Sequence, residues 1–289
     1  MSNENVWEEI EQIVSTYVQA VRLELHERWE TWTLDLAKRE LYEVIGALLA
    51  RQVTMAIQLA EAPSIWNGHI APLILRSMTD NYINLAWIFG DPLERARKFI
   101  LHGLGQEKLH IEHFKAKLKA DGKDAEKDSI VQQREEWLNT QRYTFLTEVN
   151  VGSWSGMDAR KMAEEADCVD LYNFAYAPFS AATHNMWHHV AKYNLAPCPN
   201  PLHRYHRIPI VRSESSDIDY VYRAAKYVQK AFTLFDQKTG VQTSSASAFD
   251  NLDQAINSFN QKGDRQLSKS DIREQTNEDF TAQSKGGEK

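Results

Sequence analysis

A chain of 289 residues has the length of one large domain or two small ones. Its 33 Lys and Arg against 40 Asp and Glu give a formal charge of −7, which excludes a wholesale electrostatic grip on nucleic acid or anionic lipid and leaves such contact to a local patch. Cys168 and Cys198 cannot build a disulfide framework, the acidic start MSNENVWEEIEQIV is no signal peptide, and no run approaches the roughly 18 apolar residues of a membrane span, so a cytoplasmic protein without membrane contact is expected.

The first element is an amphipathic helix over 5–28, where Val6, Ile10, Ile13, Val14, Tyr17, Val18, Val21 and Leu25 recur at intervals of three and four. Residues 37–61 repeat the pattern through Leu41, Ile45, Leu48, Leu49, Val53, Ala56, Ile57 and Ala60, until Pro63 and Asn67-Gly68 break it. From Ile70 to Phe89 the chain is apolar on more than one side, as suits a central helix of a bundle. Asp91 and Pro92 read as N-cap and first position of a helix that ends at Asp121-Gly122.

A more polar helix is expected over 125–148, then a connector, VNVGSWSG, and a short helix over Ala159–Ala166 with Asp158 near its start. A helical stretch follows from Val169 to Tyr193, which Pro178 should kink or split. Prolines 197, 199, 201 and 209 predict irregular chain, and residues 216–237 form the last strong helix. Beyond Gly240 the composition is too polar to offset the entropy of ordering, apart from short helical pieces such as 248–259. With no alternating strand pattern and no fixed repeat, the expected fold is all-α: a bundle of about seven to eight helices over residues 1–240 and a disordered tail over 241–289.

Several residues could carry chemistry. Arg76 and Asp80 sit one turn apart on the most apolar helix, where a lone charge would cost several kcal/mol, so they must pair or reach water. His184 and His188 stand at i and i+4, a spacing that puts two imidazoles on one helix face and that zinc sites use, with His203 or His206 as a conceivable third ligand; the packed or surface histidine is the blander reading, and no metal and no cofactor are expected. Ser180 precedes His184 by one turn, but nothing here builds the nucleophile elbow of a serine hydrolase. Glu107 and His110 make a single Glu-x-x-His, whereas a di-iron bundle needs two. Arg97 and His102 satisfy the Arg-x4-His spacing of HEPN ribonucleases, against a solvated helix face. The loop PLHRYHRIPIVR interleaves His203, Arg204, His206, Arg207 and Arg212 with Tyr205, a local basic and aromatic cluster able to hold a phosphate, a base or a protein partner.

The run WSGMDARKMAEEADCVDLYNFAYAPFSAATHN, Trp154–Asn185, together with Arg76 and Asp80, resembles the bacterial family catalogued as domain of unknown function 5677. The likeness covers roughly residues 37–193. It implies a helical, HEPN-like fold and little mechanism. Where the family pattern would place an arginine shortly before the serine, this chain has Tyr176, Ala177 and Pro178, so a cleaving version would have to recruit Arg76.

Two functions follow as expectations. The favoured one is a non-catalytic binding or scaffold component of a bacterial stress or phage-defence system, with a satisfied polar cluster of Arg76, Asp80, Tyr172, Ser180 and His184 and a loop that meets RNA or a protein partner. The alternative is a metal-independent ribonuclease toxin in which His184 is the general acid/base, Arg76 stabilises the phosphorane charge and Asp80 orients the arginine. Helical toxins of this kind join half-sites by dimerising, so a homodimer is expected of it.

Overall fold

A computed structural model describes residues 3–141 and 152–263, and within them the chain is all-α apart from one short two-stranded ladder. In chain order the helices are α1 (Asn3–Thr31), α2 (Arg39–Ala60), α3 (Ala71–Ile88), α4 (Pro92–Ala120), α5 (Ser129–Asn139), α6 (Ala159–Glu165), α7 (Val169–Leu171), α8 (Ala177–Thr183), α9 (Trp187–Tyr193), α10 (Asp219–Thr239) and α11 (Ala248–Gly263). The polar helix expected over 125–148 ends at Asn139 and is capped by Thr140. Its last expected residues, the first residues of the connector, and the tail from 264 on lie outside the described residues.

Two compact units emerge. The smaller joins the chain up to Glu24 with residues from Ser244 onward, and the larger spans Leu25–Thr243. Among the described residues of the smaller unit the buried apolar side chains are Val14, Tyr17, Val18 and Val21 of α1 and Ala248, Leu252 and Ile256 of α11, the helical piece anticipated near 248–259. Among the described residues the buried Tyr17 hydroxyl has no hydrogen-bond partner.

The larger unit is organised around α2 and α3. Helix α2 packs on α3, α4 and α10, and α3 packs on α6, α8 and α10 as well. By length and composition alone the stretch Leu36–Ala60 is apolar enough to cross a membrane, and 61% of its 18-residue apolar window is buried inside the structure, as in the core helix of a bundle. The core is not purely apolar. Asn81 donates from Nδ2 to the Leu48 carbonyl (2.9 Å) and to Gln52 Oε1 (2.8 Å), and Gln52 Nε2 reaches the Tyr227 carbonyl (3.3 Å), so a satisfied amide ladder sets the relative register of α2, α3 and α10. Helices α4 and α5 form a hairpin with its own core of Leu104, Ile111, Leu118, Ala125, Val131 and Leu138.

The stretch Val169–Tyr193 was expected to kink or split at Pro178, and its helix is distorted just before that proline and broken further on. Pro178 sits in the first turn of α8, and the π-helical turn Tyr172–Tyr176 precedes it, closed by Ala177 N–H on the Tyr172 carbonyl. The wider turn takes up the clash and the lost donor that proline brings. The break comes later, at Asn185, whose φ of 50° and the bond from Met186 N–H to the Ala181 carbonyl (2.9 Å) end α8 in a Schellman motif. The proline-rich stretch is not wholly irregular either: β1 (Leu195–Pro197) pairs antiparallel with β2 (Arg207–Pro209), Ala196 opposite Ile208. A three-residue strand is too short to leave an alternating signal in sequence.

Candidate functional site

Arg76 on α3 is the centre of the strongest polar cluster. Its Nε donates to Ser180 Oγ on α8 (2.8 Å), its Nη1 pairs with Asp80 one turn further along α3, and its guanidinium lies 3.2 Å from the centroid of the Tyr176 ring. Ser180 donates its own O–H to the Tyr176 carbonyl (2.8 Å), so the hydroxyl both accepts and donates. Tyr172 stacks on Tyr176 with ring centroids 4.7 Å apart. The Arg76 side chain is 11% exposed and that of Asp80 46%, so the cluster is sealed at the guanidinium and opens to water at the carboxylate. Burial, reinforced by the Asp80 carboxylate and opposed by Arg76, pushes the Tyr176 phenol above its ordinary range.

The backbone explains why these groups meet. In a π turn one extra residue is accommodated within the helix, and here the turn that carries both tyrosines packs against α3. Tyr176 is the first of the three residues, Tyr176, Ala177 and Pro178, in the stretch where an arginine was anticipated, and Arg76 from the other helix covers its ring.

His184 does not join them. It caps the C-terminus of α8, is exposed, and its imidazole has no partner among the described residues. The Schellman break also removes the premise that His184 and His188 share a helix face: His188 belongs to α9, beyond the left-handed Asn185, and is exposed too. Arg97 on α4 is half-exposed with its Nη2 3.8 Å from Glu40, while His102, five residues on and about 140° around the helix, is partly buried. Glu107 of the Glu-x-x-His is held by Arg134 at 2.9 Å, and His110 is exposed. His203, Arg204, Tyr205 and His206 stand exposed on the loop between β1 and β2, and Arg207, exposed too, opens β2.

Two further clusters escaped sequence reasoning. Trp87 donates from Nε1 to Glu165 (2.8 Å) and is covered by the Arg95 guanidinium at 3.7 Å, with the Trp154 ring edge-on at 5.1 Å. His69, next to the Asn67-Gly68 break, meets His189 (6.3 Å between centroids) and Tyr193 (5.2 Å). Gly68 donates its N–H to Glu214 (3.1 Å), and a Cβ there would lie 2.4 Å from the Tyr193 ring, so glycine is what lets the ring close over the turn. Partial burial and the neighbouring His69, His188 and Lys192 lower the affinity of His189 for a proton, with Glu214 opposing. No periodicity could have revealed this niche, since its members come from three separate segments.

With this geometry in view, the comparison with protein families is decisive. The model of the Family of unknown function (DUF5677) matches residues 42–197, more than half of the chain. The chain belongs to that family. No curated protein and no solved structure matches it. The region that makes it a DUF5677 member runs from α2 through β1 and contains Arg76, Asp80, Trp154, Tyr172, Tyr176 and Ser180; it stops one residue short of Cys198. The Arg76 cluster is therefore part of the family body, and the exposed basic loop lies beyond it.

Proposed function

We propose that this DUF5677 member is a non-catalytic binding component: the Arg76 cluster locks α3 to α8, and the loop after Cys198 makes the contact with an anionic partner, single-stranded RNA being the form to test. The observation that carries this reading is the triple commitment of Arg76 to Asp80, Ser180 and the Tyr176 ring. An arginine that gathers charge onto a scissile phosphate needs donors aimed at the phosphate, and a general acid/base must stand within hydrogen-bond reach of the reacting oxygen. Here the guanidinium is nearly sealed and His184 is an exposed helix cap without a link to it. Conversely, Tyr205 is 93% and Leu202 87% exposed beside Arg204 and Arg207, an arrangement suited to stacking a base and neutralising its phosphates. The setting proposed is a bacterial stress or phage-defence system, resting only on the HEPN-like resemblance expected from the sequence.

The test is fluorescence anisotropy with a labelled single-stranded RNA, with gel analysis of the same RNA. Binding that weakens with salt and with Arg204→Ala plus Arg207→Ala, while the RNA stays intact, supports the reading. Cleavage that disappears in Arg76→Lys and His184→Ala would replace it with the ribonuclease.

A further inference from the structure

The loop between β1 and β2 brings together three groups that no helix pattern connects. Cys198 follows β1 directly and His206 precedes β2 directly, and the backbone bond from Cys198 N–H to the His206 carbonyl (3.0 Å) extends the ladder between them. Inside the loop the chain doubles back: His203 N–H bonds the Asn200 carbonyl (3.0 Å), His206 N–H bonds the His203 carbonyl (3.1 Å), and Leu202 N–H bonds the Asn200 side chain (3.0 Å). Tyr205 takes a left-handed φ of 63° to complete the turn. Pro197, Pro199 and Pro201 restrict the chain before it folds, which lowers the entropy lost on ordering.

The result is a cluster in which Cys198 Sγ and ring nitrogens of His203 and His206 all lie within 4.8 Å of one another. Sγ is 3.6 Å from His203 Nδ1. Zinc holds thiolate sulfur at about 2.3 Å and imidazole nitrogen at about 2.0–2.1 Å, which in a tetrahedron puts sulfur and nitrogen about 3.6 Å apart.

The geometry points to a transition-metal site of the zinc class, with Cys198, His203 and His206 as its three protein ligands. One thiolate and two neutral imidazoles suit zinc or cobalt(II) and not the oxygen-seeking calcium or magnesium. On binding, the Cys198 thiol proton leaves to solvent and the sulfur takes the metal. Three ligands on an exposed loop leave one tetrahedral position open to water or to a group from a partner. The ion would also tie the ends of the loop together, pointing Tyr205 outward. The site lies in the same loop as the proposed RNA contact but does not rest on it: cobalt binding is read with no RNA present.

The probe is cobalt(II) titrated into the full chain under reducing conditions. One equivalent is expected, with a thiolate-to-cobalt charge-transfer band and the intense visible bands of tetrahedral cobalt. Cys198→Ser should abolish the charge-transfer band, and His203→Ala or His206→Ala should weaken binding at least about tenfold, whereas Cys168→Ser and His188→Ala should change neither. As a measurement that needs no variant, zinc should slow alkylation of Cys198 and leave that of Cys168 unchanged. Absence of the bands in the wild type, their survival in Cys198→Ser, or equal alkylation of Cys198 with and without zinc would overturn the site.

Discussion

Arg76 and Ser180, 104 residues apart in sequence, are joined by a 2.8 Å hydrogen bond from Nε to Oγ that ties α3 to α8. The pair is a long-range contact between a charged donor and a hydroxyl whose proton is already committed to the Tyr176 carbonyl. Arg76→Met should therefore destabilise the protein by about 2–3 kcal/mol, from the lost charge-assisted bond and the lost ring stacking, while Asp80 turns to water at modest cost. Ser180→Ala should cost about 1 kcal/mol, and a double-mutant cycle in urea should give a coupling of the same order. Additive effects would mean that the bond contributes nothing.

Arg28 makes a second such lock. Its Nε and Nη2 fork onto Asp236, with the guanidinium 4.2 Å from the centroid of the Phe232 ring, and the arginine is 5% exposed. Arg28→Leu should cost about 2–4 kcal/mol, as truncating one member of a buried bidentate pair does, and Arg28→Lys should restore less than half of that, read from urea midpoints at constant slope.

Gly68 is fixed by the ring above it. Gly68→Ala should lower stability by about 1–2 kcal/mol because the Tyr193 ring must move, and Tyr193→Leu introduced in the same chain should recover part of the loss. Thermal melts of the two single variants and the double variant distinguish this from a general dislike of alanine in the turn.

Stability should depend on pH through His189, whose proton affinity is lower folded than unfolded. Between its folded value and the ordinary imidazole value of about 6.5, the unfolded chain binds more protons. The contribution is thus complete above about pH 6.5 and is lost as pH falls through the folded value. His189→Gln should flatten that part of the stability profile, and an unchanged slope would assign the dependence to other groups.

In the smaller unit the hydroxyl of Tyr17 is desolvated with no hydrogen-bond partner among the described residues. Tyr17→Phe should be neutral or stabilising by up to about 1 kcal/mol, since it removes the unpaired group and keeps the ring. A loss of more than that in chemical denaturation would mean that the hydroxyl has a partner in solution.

Much of the architecture could be read from residue order. The apolar stripe of α1, the start of α4 at Pro92 after Asp91, the Asp158 cap of α6 and the Gly240 end of α10 are local: each rests on groups within a few positions, so its energetics are written in the sequence itself. The same locality made the charged pair Arg76 and Asp80 visible, because a lone charge on an apolar helix demands a nearby counter-ion. What the pattern could not supply was the choice of third partners. Whether Arg76 would meet Ser180 or His184 depended on where α8 ended, and that was decided by one left-handed asparagine and a π turn before Pro178. The gathering of His69 with His189, and of Cys198 with His203 and His206, likewise required the chain to fold back on itself. Sequence alone determined which stretches would be helices and which charges would need company; the tertiary structure decided which company they kept, because side-chain chemistry acts over a few ångströms of space and is blind to distance along the chain.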